Sequence, residues 1–309
     1  MILTVTLNAA LDITYRVPRL RAHHSHRITE AIERPGGKGL NVARVLATLG
    51  HDTVATGLIG GATGAALRDQ LGSYPGVADA FVPIAGTTRR TVGVVDASTG
   101  DTTQLNEPGP LVSAAEWAAF ADRYAELLDG AAAVALCGSL PPGVPVGAYA
   151  QLIRAAHGAH VPVLLDTSGE PLRRGIAARP DVIKPNADEL AALTGSTEPV
   201  RAAREARRRG AHAVAASLGP EGLLAITPDG AWRAAPPSRI AGNPTGAGDS
   251  AVAGLLSGLA EGLPWPDRLA RAVALSAATV RAPVAGEYDE ATYAQLLPQV
   301  RVSPHPAAA

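Results

Sequence analysis

The sequence has little cysteine and no excess of either charge. Its 309 residues contain one cysteine, Cys137, which excludes an intrachain disulfide framework and a cysteine-based zinc cluster and favours a reducing compartment. Lys and Arg number 27 against 28 Asp and Glu, so no overall field marks a nucleic-acid or membrane-surface binder. Any anion site must therefore be local.

Long hydrophobic runs are also lacking. None approaches the length of a membrane-spanning helix. The amino-terminal MILTVTLNAALD has no basic leader and is typical of a first strand rather than a signal peptide. We therefore expect a cytoplasmic protein that binds a small molecule and neither nucleic acid nor membrane.

Aromatic residues are scarce, at 4%, although hydrophobic residues make up 47% of the chain. This composition favours helices packed closely on a sheet over an aromatic-rich sandwich. Six apolar runs recur between helix-like segments, at 2–8, 53–60, 132–139, 161–168, 181–186 and 213–219. Because most are apolar throughout, they predict strands buried on both faces, and hence an α/β fold with a mostly parallel sheet between helices.

Two segments break this pattern, at 12–34 and 87–105, where polar and apolar residues alternate. We predict exposed strands there, with a hairpin turn at 98–101, which form a small antiparallel sheet. Such a sheet, standing off the main one, would be a lid over an active-site crevice. Neither a repeat nor a long linker divides the chain, so we expect one domain over residues 1–309.

The two common nucleotide-binding fingerprints, the Walker A loop and G-x-G-x-x-G, do not occur. Glycine-bearing loops instead lie at strand ends or open helices: RPGGKG at 34–39, GSLPPG at 138–143, SLGPEG at 217–222 and NPTGAGDS at 243–250. One such loop alone is usually a turn. Four of them indicate a ligand crevice, because α/β sheets bind ligands at the carboxyl ends of their strands.

The NPTGAGDS loop stands in front of an apolar helix. Gly246 and Gly248 would let a ligand approach the unpaired backbone N–H groups of the first turn, which suits an anion. Asp249 can be read as a complement to the helix dipole. It can equally be a base that takes the proton of a hydroxyl attacking a bound phosphate. The residues alone leave both readings open.

A second polar pair follows the apolar run at 181–186. Asn186 and Glu189, in KPNADEL, are three residues apart and would share a helix face. Their oxygens could organise Mg²⁺ and its waters. They could equally form a capping box that does no more than start the helix.

Seven motifs, spread in this order from residue 36 to 256, resemble those of the PfkB or ribokinase-like carbohydrate kinases: GGKGLNVARVLATLG, LNEPGP, GSLPPG, DTSGEPL, KPNADEL, SLGPEG and NPTGAGDSAVAGLL. The resemblance implies a three-layer α/β/α sandwich with a mostly parallel central sheet and a small β-sheet lid. TVTLNAALDITY, Lys38 in GGKG, and GSLPPG resemble the branch that contains 1-phosphofructokinase, tagatose-6-phosphate kinase and the minor 6-phosphofructokinase.

This resemblance implies an enzyme that transfers the γ-phosphoryl group of ATP to a primary hydroxyl of a ketohexose monophosphate, with Mg²⁺ as cofactor. The alternatives are the minor type of 6-phosphofructokinase, a kinase of an unphosphorylated sugar or nucleoside, and a regulator that binds these ligands without turnover. The family also suggests a homodimer formed through the lid. A monovalent cation would sit near the loops at 241–245 and 282–287.

The resemblance also assigns roles to matching positions. The catalytic set is Asp249 as base, with an anion hole at Gly246, Ala247 and Gly248. The sugar would contact Asp12, Gly37, Lys38, Asn41 and Ser139, and its phosphate would contact Arg27 and Arg89, with Arg90 the alternative to Arg89. The nucleotide would contact Lys184, Asn186, Ser217, Gly219 and Gly222, and Mg²⁺ would be held by Asn186 and Glu189 through water.

Overall fold

The computed structural model describes residues 1–282 and 284–305, which form fifteen strands and ten α-helices. The strands are β1 (Ile2–Thr6), β2 (Ala10–Val17), β3 (Glu30–Gly36), β4 (Thr53–Ile59), β5 (Val77–Asp79), β6 (Val82–Pro83), β7 (Arg89–Asp96), β8 (Thr102–Asn106), β9 (Ala133–Cys137), β10 (Val163–Asp166), β11 (Val182–Ile183), β12 (Ala213–Ser217), β13 (Leu223–Thr227), β14 (Gly230–Ala235) and β15 (Arg301–Pro304). The helices are α1 (Lys38–Thr48), α2 (Gly61–Leu71), α3 (Ala114–Leu127), α4 (Ala148–Gly158), α5 (Gly169–Ile176), α6 (Ala187–Thr194), α7 (Pro199–Arg208), α8 (Ala247–Ala260), α9 (Trp265–Thr279) and α10 (Glu290–Leu296).

The main sheet has eleven strands in the order β15-β14-β13-β12-β11-β10-β9-β1-β4-β5, with β6 also paired to β4. Pairing is parallel from β12 to β5, and β13, β14 and β15 add an antiparallel edge. Each of the six predicted apolar runs contains one of the parallel strands. The prediction of an α/β fold with a mostly parallel sheet is therefore confirmed.

Helices cover both faces of this sheet, which explains the continuous apolar runs. Along β1, Leu3 and Val5 point into a core shared with α3, α4, α5, α6 and α7. Ile2 points into a second core, shared with α1, α8 and α9. Successive residues of a strand face opposite sides, so both sides of β1 are buried. The three-layer α/β/α sandwich expected from the sequence is confirmed.

The small sheet has the order β3-β2-β7-β8 and comes from the two predicted segments. One prediction about it is wrong, because β2 and β7 pair in parallel rather than antiparallel, from Ala10–Arg89 to Val17–Asp96. Both strands follow parallel strands of the main sheet, β1 and β6, and therefore leave it in the same direction. The expected strand over 12–34 is also interrupted, since residues 18–29 lie outside β2 and β3.

The topology brings the polar loops together. The carboxyl ends of β1, β9, β10, β11 and β12 lie side by side, and each is followed by a segment that the sequence singled out. Two helices begin at this edge after glycines with left-handed backbone, α1 after Gly37 (φ 111°) and α8 after Gly246 (φ 84°). Within the described ranges, no helix is both long and apolar enough to cross a lipid bilayer.

Candidate active site

Asp249 lies in the first turn of α8, with its side chain facing α1. It is 8% exposed, and its Oδ2 accepts a hydrogen bond of 2.7 Å from Asn41 Nδ2. The turn before it requires glycine, because a Cβ at Gly246 would lie 2.8 Å from Ala285. The carboxylate is therefore held at the amino end of the helix, beside backbone N–H groups that have no partner within the helix.

The pKa of Asp249 is raised from 3.8 to about 6. Burial is the main cause, and the nearby Asp166 carboxylate adds to it, while Lys38, the Asn41 hydrogen bond and Lys184 oppose the rise. A carboxylate with a pKa in this range is a better proton acceptor near neutral pH than an ordinary aspartate. The environment therefore suits a general base.

The predicted anion hole is only partly available in this conformation. The Ala247 N–H donates to the carbonyl of Pro244 at 3.1 Å. Among the described hydrogen bonds, none uses the N–H of Gly246 or Gly248. These two groups, rather than all three, are available to an anion at the start of α8.

Asp166, which the sequence analysis did not select, joins two lysines at the centre of the site. It ends β10, is 1% exposed, and lies 3.1 Å from Lys38 Nζ and 3.3 Å from Lys184 Nζ. Burial alone would raise the pKa of Asp166, but the two ammonium groups lower it. Its only sequence signal was its place at the end of a buried strand, in the DTSGEPL motif.

Both lysines are fixed next to α8. Burial alone would lower the pKa of Lys38, but the carboxylates of Asp166, Asp249 and Glu189 raise it, so the side chain is charged. Lys184 is 5% exposed, and its Nζ lies 3.8 Å from where a Cβ on Gly248 would be. Two positive charges therefore stand beside the free N–H groups, an arrangement suited to phosphoryl oxygens.

Asp12 lies at the base of the small sheet, above Gly36. A Cβ at Gly36 would be 2.0 Å from Asp12 Cγ, so a larger residue there would displace the Asp12 carboxyl group. Burial raises the pKa of Asp12 to about 6, although Arg44, Arg89 and a hydrogen bond to Thr91 oppose the rise. The carboxylate is thus positioned and partly desolvated, as a group that binds hydroxyls must be.

A cavity of about 470 Å³ opens between the two sheets. The predicted site residues that line it are Gly37, Lys38, Arg89, Ser139 and Glu189. Asp12 and Asp249 lie outside this lining, although the charge of Lys38 acts directly on Asp249. The residues predicted for the sugar and for the base are therefore neighbours, with Lys38 between the cavity and the carboxylate.

The two adjacent arginines point in different directions. Arg89 lines the cavity and donates to the Asn8 carbonyl at 3.1 Å and to Thr91 Oγ1 and the Glu107 carbonyl at 3.3 Å. Arg90 is exposed and pairs with the Glu107 carboxylate at 3.1 Å. Arg89 is therefore the one placed for a ligand.

Arg27 is not brought to the cavity. It is exposed, in the segment between β2 and β3 that runs outside the small sheet. This conformation therefore gives no support to the prediction that Arg27 holds the substrate phosphate. The position was not foreseen, because nothing in the sequence pattern showed that residues 18–29 leave the sheet.

Asn8 is a second residue that sequence reasoning missed. Its Nδ2 donates to Ser139 Oγ at 3.0 Å and to the Pro108 carbonyl at 3.1 Å. It thereby joins the end of β1 to the loop after β9 and to the LNEPGP loop. The predicted Ser139 hydroxyl is consequently fixed in the cavity wall.

Asn186 and Glu189 form the capping box of α6. Asn186 Oδ1 accepts from the Glu189 N–H at 2.8 Å, and Glu189 Oε2 accepts from the Asn186 N–H at 2.9 Å. Glu189 also lines the cavity. The two residues therefore cap α6, and these capping bonds do not use Glu189 Oε1.

The remaining predicted nucleotide residues lie beside α6. Asn186 and Ser217 form a parallel bridge. Gly219 and Gly222 have φ of 59° and 90° and enclose a single turn of 3₁₀ helix after β12. In the described part of the chain, no three His, Cys, Asp or Glu side chains gather closely enough to hold a metal ion. A cation here would need oxygen ligands from phosphate and water.

The sequence matches the model of the pfkB family carbohydrate kinases over residues 5–291. A match of this extent establishes the class, and the chain is a carbohydrate kinase. It belongs to the pfkB family, as the ordered motifs indicated.

The chain is similar to several phosphofructokinases. The chain is 42% identical over 284 residues to the 1-phosphofructokinase of Rhodobacter capsulatus, covering 89% of this chain and 90% of the relative. It is 31% identical to phosphofructokinase-2 of Escherichia coli, covering 96% and 98% of the two chains. That enzyme has been solved as a tetrameric inhibited form (TM-score 0.89), with potassium (0.91) and with fructose-6-phosphate (0.88). The prediction of a phosphofructokinase-like sugar-phosphate kinase is confirmed.

Proposed function

We propose that this kinase transfers the γ-phosphoryl group of ATP to the free primary hydroxyl of fructose 1-phosphate, which yields fructose 1,6-bisphosphate and ADP. The observation that supports a phosphorylated substrate is the cavity lined by two positively charged side chains, Arg89 and Lys38, of which Lys38 is near enough to Asp249 to lower its pKa. The choice of fructose 1-phosphate follows from the higher identity to a 1-phosphofructokinase than to phosphofructokinase-2.

In this mechanism Asp249 is the general base. The Asn41 amide occupies Oδ2, so the substrate hydroxyl approaches Oδ1. As the hydroxyl oxygen forms its bond to the γ-phosphorus, its proton passes to Asp249, the bond from phosphorus to the bridging oxygen breaks, and ADP leaves. The raised pKa makes the carboxylate basic enough to take the proton and leaves it mostly ionised at pH 7.

The moving phosphoryl group lies at the amino end of α8. The N–H groups of Gly246 and Gly248 face it, and Ala247 would join them by giving up its bond to Pro244. Lys184 holds the nucleotide phosphates from the other side, and Asp166 keeps it and Lys38 in place. Positioning and charge, rather than covalent chemistry, carry the transfer.

The sugar would lie in the cavity. Gly37 and Ser139, which line it, would contact the sugar hydroxyls together with Asp12 and Asn41, which lie outside the lining. Arg89 would bind the phosphate, for which a guanidinium fork is well shaped. Arg27 could reach this phosphate only if residues 18–29 moved.

The remaining residues predicted to bind the nucleotide and Mg²⁺ lie in the capping box of α6, at the end of β12 and in the loop after it. Ser217, Gly219 and Gly222 would contact the nucleotide. Mg²⁺ would be held through water by Asn186 and Glu189, whose capping bonds leave one carboxylate oxygen of Glu189 for this task. When bound, the ion supplies charge neutralisation to the phosphates.

A monovalent cation near 241–245 and 282–287 also stays a proposal. It is supported by the contact between Gly246 and Ala285, which brings the two loops together, and by the potassium complex of phosphofructokinase-2. Pro283 lies outside the described residues. A test is whether K⁺ raises kcat above the value in Na⁺ or choline at equal ionic strength.

We further propose a cytoplasmic homodimer formed through the small sheet. Every residue of its edge strand β8 is exposed, and Leu105 in that strand is 59% exposed. An uncovered strand edge with an apolar side chain favours pairing with a second copy. Light scattering on the purified protein, with Leu105→Lys as the variant expected to be monomeric, measures this.

The substrate assignment is tested with a coupled ADP-release assay. We expect the highest kcat/KM with fructose 1-phosphate, lower values with tagatose 6-phosphate and fructose 6-phosphate, and at least about a hundredfold lower value with unphosphorylated fructose, because the cationic wall would lose its partner. Equal turnover of unphosphorylated sugar contradicts the proposed role of Arg89 and Lys38. Ligand binding without any ADP release would indicate a regulator instead.

A further inference from the structure

Asn41, which bonds to Asp249, is itself held by a buried arginine. Arg44 follows it by three residues in α1, so both side chains lie on the same helix face. Arg44 is 4% exposed, and its Nη2 donates to Asn41 Oδ1 at 2.6 Å and to the Ala285 carbonyl at 2.7 Å. Its Nη1 donates to the Tyr74 hydroxyl at 3.2 Å. One guanidinium thus joins α1 to the loop beside the amino end of α8.

Arg44 is a costly group to bury in this way. Its described hydrogen-bond partners are an amide oxygen, a backbone carbonyl and a phenol, all uncharged. Its positive charge lowers the pKa of Asp12, but no described hydrogen bond or ion pair joins the two groups. A buried charge that makes no direct ion pair is unfavourable for folding, so folding alone gives little reason for an arginine here.

The direction of the Asn41 amide depends on Arg44. A guanidinium only donates, so the amide atom that faces Nη2 must be the oxygen. The amide nitrogen then faces Asp249 Oδ2. With the amide reversed, two donors would face each other and the amide oxygen would face the carboxylate, which would lose a charge-assisted hydrogen bond.

We propose that Arg44 is a positioning residue for phosphoryl transfer, acting through the Asn41 amide to hold the carboxylate of Asp249. The proposal rests on the assignment of Asp249 as base in the proposed function. The amide restrains Oδ2 and so fixes the direction in which Oδ1 meets the substrate hydroxyl. A misplacement of about 1 Å at a reacting group can cost on the order of a hundredfold in rate.

A double-mutant cycle with Asn41 tests this role. Arg44→Lys keeps the positive charge but replaces the planar fork by one rotatable ammonium group. We expect kcat at saturating ATP and fructose 1-phosphate to fall at least about tenfold, with the KM for ATP changed less than about twofold. In an Asn41→Ala background, the same change should lower kcat by less than about twofold more, because the amide through which it acts is gone.

Arg68→Lys in α2 is the matched control. Arg68 also donates to a backbone carbonyl, that of Phe81 at 2.9 Å, and pairs with Asp79, away from the site. We expect its kcat to be unchanged.

A pH profile separates positioning from general damage. In Arg44→Lys the acid limb of kcat should move to higher pH, since the Asn41 hydrogen bond that lowers the pKa of Asp249 is weakened while Asp166, Lys38 and Lys184 still face it. Should Arg44→Lys fail to fold, Arg44→Gln is measured in the same way with the same expected outcomes.

The inference is overturned if Arg44→Lys keeps the wild-type kcat. It is also overturned if the loss of kcat in the double variant equals the product of the losses in the two single variants. If Asp249→Asn is inactive at the same time, the base assignment stands and only the role of Arg44 fails. If Asp249→Asn keeps its turnover, the proposed function fails first.

Discussion

Replacing Asp249 by asparagine should lower activity and raise stability together. The introduced amide is isosteric with the carboxylate and can still accept the hydrogen bond from Asn41, so the local geometry is kept while the proton acceptor is lost. We expect kcat to fall at least about a hundredfold, the lower end for loss of a general base, with little change in ATP binding. An ADP-release assay at saturating substrates measures this.

The stability change follows from the raised pKa. A rise from 3.8 to about 6 means that ionised Asp249 destabilises the folded protein at pH 7 by up to about 3 kcal/mol. The neutral amide removes this penalty, and at this chain length the Tm should rise by about 2 to 6 °C. Because the folded-state pKa is raised, the penalty disappears as pH falls from about 6 to below 4, and the two Tm values should then converge.

Asp166→Asn is the contrasting variant. The lysines lower the pKa of Asp166, so its ionised form stabilises the fold at pH 7. Its loss removes the carboxylate that pairs with the buried Lys184 and also one of the three that act on Lys38, which should cost about 3 to 5 kcal/mol and lower the Tm. For Asp249→Asn, turnover within tenfold of the wild type would refute the assignment of Asp249 as the general base. A Tm of Asp249→Asn below that of the wild type would refute the electrostatic argument. Differential scanning fluorimetry at several pH values gives the Tm.

Three further predictions concern the same site. The pKa values of Asp12 and Asp249 are both raised to about 6, so kcat/KM should fall below about pH 6, and log kcat/KM plotted against pH should reach a limiting slope above one. Asp12→Asn should reduce that slope to one. A flat profile from about pH 5 to 8 contradicts this. Arg89→Lys should raise the KM for the sugar phosphate at least about tenfold, whereas Arg90→Lys should change it less than about twofold; equal effects in steady-state kinetics would show that the arginines are misassigned. Gly246→Ala places a side chain at φ 84°, so we expect a cost of at least about 1 kcal/mol in thermal unfolding together with lower kcat; an unchanged Tm would mean that this turn can rearrange.

Much of the fold followed from local pattern. Continuous apolar runs predicted six parallel strands. Local sequence also explains where α3 starts, since Ser113 and Glu116 form a capping box there. The parallel pairing of β2 with β7 was not predictable in this way. Paired residues of the two strands are 79 positions apart in the chain, as for Ala10 and Arg89, and the relative direction of the strands depends on how both insertions leave the main sheet.

The sequence by itself determined which chemical groups are available and where the chain turns. The glycines before α1 and α8, the carboxylate at 249 and the ordered motifs all lie in short segments that can be recognised without a structure. Backbone conformation and helix capping depend on a few neighbouring residues, which is why these predictions were possible.

Only the tertiary structure decided what each group can do. Asn41 reaches Asp249 across 208 positions of the chain, and Lys38 reaches Asp166 across 128. A pKa is set by burial and by charges within a few ångströms, whatever their distance in the sequence. For that reason one aspartate at this edge of the sheet has a raised pKa and another has a lowered one, although the residue type is the same.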